Sequence, residues 1–166
     1  FGPVKAINMF NNDSAESHNG FAILEFSVPE SAVLAIDEMD EVTMRGERIK
    51  VRKSSCMPQA QMLIDKIMVE ATHHNRVFVA SVHPNLAERD LEAAFAVYGE
   101  VINCQMARRN NALMGEHLGF GYIEFNTFEE SEEAIERMHM VQLRGQSIRV
   151  CKCISPSEAF DDLFSF

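Results

Sequence analysis

An internal repeat constrains this chain more than any other feature of its sequence. The heptapeptide Gly20–Phe26 (GFAILEF) recurs 99 positions later as Gly119–Phe125 (GFGYIEF). At the same offset Ile49–Val51 recurs as Ile148–Val150, and single matches lie between these segments. Because several matches keep one spacing, the sequence indicates two copies of one structural unit.

The second copy, residues 76–153, contains a complete pattern of secondary structure. Its β-rich runs predict four strands, at Arg76–Val82, Val101–Ala107, Leu118–Phe125 and Gln146–Cys151. Two amphipathic segments predict helices, the first capped by Asn85 and ending before Gly99, the second spanning Glu129–Met138. The order βαββαβ is that of the ferredoxin-like α+β sandwich, in which helices cover one face of the sheet.

The first copy, residues 1–53, matches only the later part of that pattern. Phe1 corresponds to Tyr98, at the end of the first helix of the second copy, so the first strand and first helix have no counterpart. We therefore expect the chain to begin inside an N-terminally truncated domain. The alternative is a self-sufficient fold of about 50 residues, although cores of that size are marginal.

Two further segments lie outside the repeats. Residues 54–75 form a linker whose apolar residues recur at helical spacing, which predicts an amphipathic helix packed on a neighbouring domain. The acidic and aromatic tail, residues 154–166, is expected to be disordered. The alternatives are a partner-binding helix in the linker and a docking peptide in the tail.

Composition excludes several classes of function. The chain has 15 basic and 25 acidic residues, and its net charge of −10 argues against a basic nucleic-acid tail or a polybasic membrane patch. No apolar run is long enough to span a membrane. The four cysteines form no C-x-x-C pair, which favours reduced thiols over disulfides or a zinc site. Without a recognisable metal cluster, phosphate-cradling loop or nucleophile–base pair, we predict neither a metal, a cofactor nor an enzyme.

Alternation along the central strands of the second copy places three aromatic rings on one face. Successive side chains of a strand point to opposite faces, so Ile123 and Phe125 face the helices while Phe120 and Tyr122 face away. By the same alternation Phe78 also faces away from the helices. Three rings exposed on adjacent strands are costly in water, so we expect this open face to bind a partner.

The same residues carry a family resemblance. The stretch Leu118–Phe125 resembles the octamer of the RNA recognition motif, and Val77–Val82 resembles its hexamer. The resemblance implies that Phe78, Phe120 and Tyr122 stack on unpaired bases of single-stranded RNA. Stacking of this kind contributes about 1–3 kcal/mol per base and tolerates different sequences.

A narrower resemblance covers most of the chain, to about residue 154. The linker and the run Val77–Val82, continuing into His83, resemble the poly(U)-binding splicing factors of the half-pint type. This resemblance implies uridine- or pyrimidine-rich RNA as the ligand, splicing-factor proteins as partners, and a nuclear ribonucleoprotein role in mRNA splicing and splice-site recognition. Single-stranded DNA is a second candidate ligand, because stacking reads little of the sugar.

The first copy departs from the family pattern. Its octamer has Ile23 where a stacking ring is usual, and it opens with Asn19 rather than a basic residue; the second octamer opens with Leu118. Phe21 is the ring that remains in the first octamer, so we expect the first copy to bind RNA weakly. Four cations are candidates for phosphate contacts, with simple solvation as the alternative for each: Arg108, Arg109, Arg149 and Lys152.

The sequence therefore favours a non-enzymatic module that binds single-stranded RNA. Two alternatives stay open, a protein–protein interaction module that grips a peptide and a transcriptional repressor that binds single-stranded DNA. The residues do not determine the oligomeric state, and a homodimer is one alternative to the monomer. No association with a membrane is expected.

Overall fold

The computed structural model describes residues 1–11, 18–54, 74–108 and 117–154. In chain order the elements are β1 (Val4–Asn11), β2 (His18–Phe26), α1 (Pro29–Met39), β3 (Thr43–Met44), β4 (Glu47–Arg48), β5 (Arg76–Ala80), α2 (Glu88–Phe95), β6 (Val101–Arg108), β7 (His117–Phe125), α3 (Phe128–Met138), β8 (Gln142–Leu143), β9 (Gln146–Ser147) and β10 (Arg149–Lys152). The predicted linker helix, the tail from residue 155 and the loop that contains Arg109 lie outside the described residues.

The second copy has the ferredoxin-like fold that its sequence predicts. Four strands form one antiparallel sheet in the order β10-β5-β7-β6, so the first strand of the copy is central. The segment predicted as one last strand, Gln146–Cys151, divides into β9, which pairs with β8, and β10, which joins the main sheet. This strand order places β5 and β7, the two strands that carry the aromatic rings, side by side.

Hydrogen bonds in the first turn fix where two helices begin. The Thr127 hydroxyl accepts a hydrogen bond from the Glu130 amide at 3.3 Å, and the Glu130 carboxylate accepts one from the Thr127 amide at 3.0 Å. This reciprocal pair satisfies two amides at the start of α3. The predicted Asn85 cap is wrong, because α2 begins only beyond Ala87, whose amide donates to the Asp90 carboxylate at 2.9 Å.

The core of the second copy, here called the inner cluster, lies between the sheet and helices α2 and α3. Its main buried side chains are Val77, Val79, Leu91, Phe95, Ile123, Phe125, Ala134, Met138, Ile148 and Val150. Burial of each large apolar side chain contributes about 1.5–3 kcal/mol. The predicted alternation is confirmed, because Val77 and Ile123 lie in this cluster while their sequence neighbours Phe78 and Tyr122 lie on the opposite face.

The described part of the first copy contains counterparts of β6, β7, α3 and the β8–β9 ladder. Strands β1 and β2 form an antiparallel hairpin, and Pro29 occupies the first turn of α1, where its missing N–H costs nothing. The apolar side chains Ile7, Met9 and Leu24 of the hairpin are exposed. The packing of the first copy therefore differs from that of the second, and α1 contacts both β2 of its own copy and β10 of the second copy.

Candidate nucleic-acid interface

Three aromatic rings lie together on the face of the main sheet that is opposite to α2 and α3. Phe78 on β5 is paired directly with Tyr122 on β7, and their ring centroids are 5.3 Å apart. The Phe120 ring lies two positions along β7, with its centroid 5.9 Å from that of Phe78. Strand pairing in the ferredoxin-like order thus assembles rings from the hexamer and the octamer into one cluster.

One prediction about these rings is wrong: they are not open to solvent. The exposed fraction is 0% for Phe78, 3% for Phe120 and 5% for Tyr122. They belong to a second buried set, here called the outer cluster, together with Val28, Leu34, Ala80, Ala107 and Cys153, and with Phe1 and Cys151 at its margin. Helix α1 of the first copy covers the face. Three adjacent rings have a lower free energy when they are buried under the apolar side of a helix than when they are exposed to water.

Helix α1 packs on this face through a side that its counterpart α3 leaves in solvent. Leu34 corresponds in the repeat to Glu133, and Leu34 is buried in the outer cluster whereas Glu133 is exposed. Below the helix, the Ile154 amide donates to the Glu30 carboxylate at 2.8 Å. The two copies are therefore joined by both apolar packing and polar contacts.

The chain before β1 also approaches the rings. A Cβ atom added to Gly2 would lie 3.8 Å from the Phe78 ring and would overlap the Ser31 hydroxyl oxygen. Gly2 has φ +137°, a conformation that residues with a side chain rarely adopt. This close approach and backbone conformation together require glycine at position 2.

Arg149 faces the outer cluster, as its alternation on β10 predicts, and it is engaged by the first copy. Its Nε atom lies 2.7 Å from Oε2 of Glu38 on α1. Its guanidinium carbon lies 4.6 Å from the centroid of the Phe1 ring. The charge of Arg149 is thus balanced by a carboxylate of the covering helix.

The other two described cations also have acidic partners. The Lys152 ammonium lies 3.0 Å from Glu132 and 4.0 Å from the centre of the Phe128 ring. Arg108 forms an ion pair with Glu88. Burial alone would raise the pKa of Glu88, but backbone hydrogen bonds and the Arg108 guanidinium outweigh it, so that pKa lies below its ordinary value.

The first copy presents aromatic surface of its own. Phe21, the ring of the first octamer, is 55% exposed and stacks on Phe10, which is 39% exposed. The two ring centroids are 4.8 Å apart, with 20° between the planes. Phe10 lies on β1, outside the octamer and hexamer patterns, so those patterns do not reveal it.

Sequence reasoning also missed one polar side chain beside the outer cluster. Gln105 on β6 is exposed and is paired with Tyr122 across the sheet. Its side chain lies on the outer face, because its neighbours Cys104 and Met106 pack in the inner cluster. The alternation of β6 could have identified this amide, which offers both a donor and an acceptor to a base edge.

Three cysteines in the described residues are free thiols. Burial raises the pKa of Cys104 to about 12, and the nearby carboxylates of Glu88 and Glu92 add to this effect. Burial also raises the pKa of Cys151, with further contributions from Glu30, Asp37 and Glu38. Because the thiolate is the reactive form, Cys104 and Cys151 are poor nucleophiles at neutral pH.

We expect Cys104 and Cys151 of the native protein to react with iodoacetamide at least about tenfold more slowly at pH 8 than after unfolding in urea. A raised pKa keeps the thiol protonated at this pH, and burial limits access. Mass spectrometry of tryptic peptides measures both rates. Equal rates in the native and unfolded protein would contradict the burial of these side chains.

Among the described residues, no group of three His, Cys, Asp or Glu side chains is arranged to hold a metal ion. None of the described helices has the length and apolar composition that crossing a membrane requires.

Comparison with known families agrees with the ring geometry. The profile of the RNA recognition motif matches residues 1–50 and 77–149. The chain belongs to the RNA recognition motif family. Both copies of the repeat contribute to this match, and the β10-β5-β7-β6 sheet of the second copy is the RNA recognition motif fold.

Related proteins include poly(U)-binding splicing factors from several animals. The factor hfp of Drosophila melanogaster is 40% identical over 159 residues, which cover 96% of this chain and 25% of that protein. The factor PUF60 of Homo sapiens is 39% identical over 156 residues, covering 94% of this chain and 28% of that protein. The chain therefore spans about a quarter of the length of these relatives.

Solved structures of RNA recognition motifs are also similar to this chain, at lower identity. The structure of the RNA15 RNA recognition motif is 21% identical, with a TM-score of 0.48, and covers 54% of this chain and 98% of that one.

Proposed function

We propose that this protein binds single-stranded RNA rich in uridine or other pyrimidines and acts in pre-mRNA splicing in the nucleus. The similarity to proteins named poly(U)-binding splicing factors supports the ligand and the process. The proposed role involves binding without catalysis. Splicing-factor proteins are the proposed protein partners.

The observation that carries this proposal is the ring cluster on β5 and β7. Phe78, Phe120 and Tyr122 come from the hexamer and the octamer, and their centroids lie 5.3–5.9 Å apart. In this family, rings at these positions stack on unpaired bases, and each stacked base contributes about 1–3 kcal/mol. We propose the same role for these three residues, with Gln105 hydrogen-bonding a base edge beside Tyr122.

We propose phosphate contacts for Arg149, Lys152, Arg108 and Arg109. Residues 76–153 contain 8 basic and 11 acidic residues, and the three described cations of this group each pair with a carboxylate. Phosphate must compete with these carboxylates, so few counterions are released on binding. The affinity should accordingly show a shallow salt dependence, about −0.7 in the logarithmic slope per phosphate contacted.

Phe21 is proposed as a further stacking residue in the first copy. Its ring is open to solvent and stacks on Phe10, so the exposed aromatic surface is larger than the octamer alone predicts. A nucleotide bound here would extend the contact beyond the second copy.

Replacing two rings by leucine tests the proposal without emptying the outer cluster. We expect Phe120→Leu/Tyr122→Leu to weaken binding of a fluorescent uridine decamer about 30-fold, because most of the apolar volume stays while the stacking surface is lost. Fluorescence anisotropy at low salt measures the affinity. Phe125→Leu is the matched control, since Phe125 lies on the same strand but in the inner cluster.

Two outcomes would reject the proposal. One is the absence of binding at low salt both by the wild-type chain and by a variant in which α1 no longer covers the rings, and the other is equal weakening by the double substitution and by Phe125→Leu. A thymidine decamer run in parallel measures the preference for RNA over single-stranded DNA.

A protein-interaction module is the second candidate function, and the packing of α1 favours it. The outer face holds a helix through Val28 and Leu34, which shows that the face accommodates an apolar helix. A peptide helix from a partner would compete with α1 in the same manner.

A further inference from the structure

Helix α1 and an RNA base need the same surface. Phe78, Phe120 and Tyr122 are at most 5% exposed, and they share the outer cluster with Val28 and Leu34 of the first copy. A base stacks only on an open ring face, so RNA cannot reach these rings while α1 is in place. We infer that α1 is an autoinhibitory element that excludes single-stranded RNA from the outer face, an inference that rests on the proposed function.

The contacts of α1 resemble, group by group, those expected of RNA. Leu34 supplies apolar area against the rings, where bases would stack. The Glu38 carboxylate lies 2.7 Å from Arg149, where a phosphate oxygen would bind. An acidic helix with an apolar side can therefore pack against the rings and also pair with the cation of this face.

The sequence of α1 fits this contact better than the sequence of its counterpart does. Leu34 of α1 corresponds to the exposed Glu133 of α3, so α1 has an apolar residue at a position where the second copy has a charged one. Ala35 and Met39 correspond to Ala134 and Met138, which face the sheet of their own copy. The side of α1 that covers the rings is thus distinct from the one that faces a sheet in α3.

Two buried polar groups of α1 lower the stability of the closed state, in which α1 covers the rings. Glu30 is fully buried, and burial of a carboxylate is costly even with a hydrogen bond. The Ser31 hydroxyl is also buried and, among the described residues, has no hydrogen-bond partner. Both groups regain water when α1 leaves. The cover is therefore able to open, and the apparent dissociation constant for RNA equals the intrinsic constant divided by the open fraction.

The chain provides a direct optical reporter of this opening. It contains no tryptophan and two tyrosines, Tyr98 and Tyr122. Tyr98→Phe leaves Tyr122 as the single tyrosine, and Tyr122 is shielded by α1. Acrylamide quenching of its fluorescence measures the cover without any RNA present.

In the Tyr98→Phe background, Leu34→Glu should displace α1 from the outer face, since burying a carboxylate against the three rings is costly. We expect the quenching constant of Tyr122 to rise at least about threefold and the affinity for a uridine decamer to increase about tenfold. The added negative charge opposes RNA binding, so charge alone cannot explain tighter binding. Glu38→Gln, which keeps the apolar packing but weakens the link to Arg149, should shift both quantities in the same direction by a smaller factor.

Leu24→Glu is the matched control, because it makes the same change at a leucine that is 50% exposed. Wild-type quenching in both Leu34→Glu and Glu38→Gln would overturn the inference. Accessible Tyr122 with unchanged RNA affinity would also overturn it, and would place the RNA elsewhere, so that RNA binding stands while the proposed stacking on these three rings does not. Accessible Tyr122 with no RNA binding by any variant would reject the proposed function and this inference together.

Discussion

Phe78→Ala should lower the free energy of unfolding of the second copy by about 3–5 kcal/mol, as much as a substitution in the inner cluster. An open ring of a nucleic-acid-binding sheet would lose little packing on truncation. Here the Phe78 ring is fully buried between Phe120, Tyr122 and the covering helix. Truncation therefore leaves a cavity that the sheet and α1 cannot fill. Urea titration followed by far-ultraviolet circular dichroism measures the change.

Two comparisons test whether the predicted loss of stability depends on coverage of the Phe78 ring by α1. Phe21→Ala removes a ring that is largely exposed and should change the unfolding free energy by less than about 1 kcal/mol. In a Leu34→Glu background the cost of Phe78→Ala should fall, because the outer cluster, to which both side chains belong, is already disrupted. A cost below about 1 kcal/mol for Phe78→Ala in the wild-type chain would show that the ring is not covered.

Gly121→Val should destabilise the second copy by about 3 kcal/mol. Gly121 lies in the octamer on β7, opposite β6. A Cβ atom at this position would lie 2.7 Å from the Met106 sulfur and still closer to the carbonyl oxygen of Gln105. The sulfur can move, but the carbonyl oxygen belongs to the paired strand, so β6 and β7 would have to separate.

The first copy supplies a natural control for this substitution. Ala22 occupies the position that corresponds to Gly121, and it is half-buried on the hairpin. Ala22→Val should change stability by about 0.5 kcal/mol or less. Thermal unfolding of both variants compares the two sites. Equal effects would mean that the close approach of β6 to Gly121 does not limit side-chain size.

The covered face connects the stability of the protein with its proposed binding. The same rings that would stack on bases contribute to the packing between the two copies. Any ligand of the outer face therefore has to replace the apolar contacts of α1 and the ion pair of Arg149. Affinity measured on the whole chain should be lower than that of an uncovered face, and the difference reports how strongly α1 is held.

Alternation along the sequence assigned side chains to faces correctly. Phe120 and Tyr122 lie on one side of β7 and Ile123 and Phe125 on the other, because a strand offers only two directions to its side chains. The βαββαβ order also follows from local patterns. Helix starts were less predictable: the cap expected at Asn85 gave way to a hydrogen bond between Asp90 and Ala87, which depends on local backbone geometry.

Local sequence patterns are enough to predict the duplication, the fold of the second copy and the three rings that share a face, since each follows from short-range periodicity or from a repeated motif. What lies over those rings is evident only once the chain is folded. Leu34 against the ring cluster and Glu38 against Arg149 are contacts between distant segments, and no periodicity within either segment specifies them. A strand pattern indicates that a face is apolar, whereas the choice between solvent, RNA and a helix of the same chain depends on the free energies of the competing contacts.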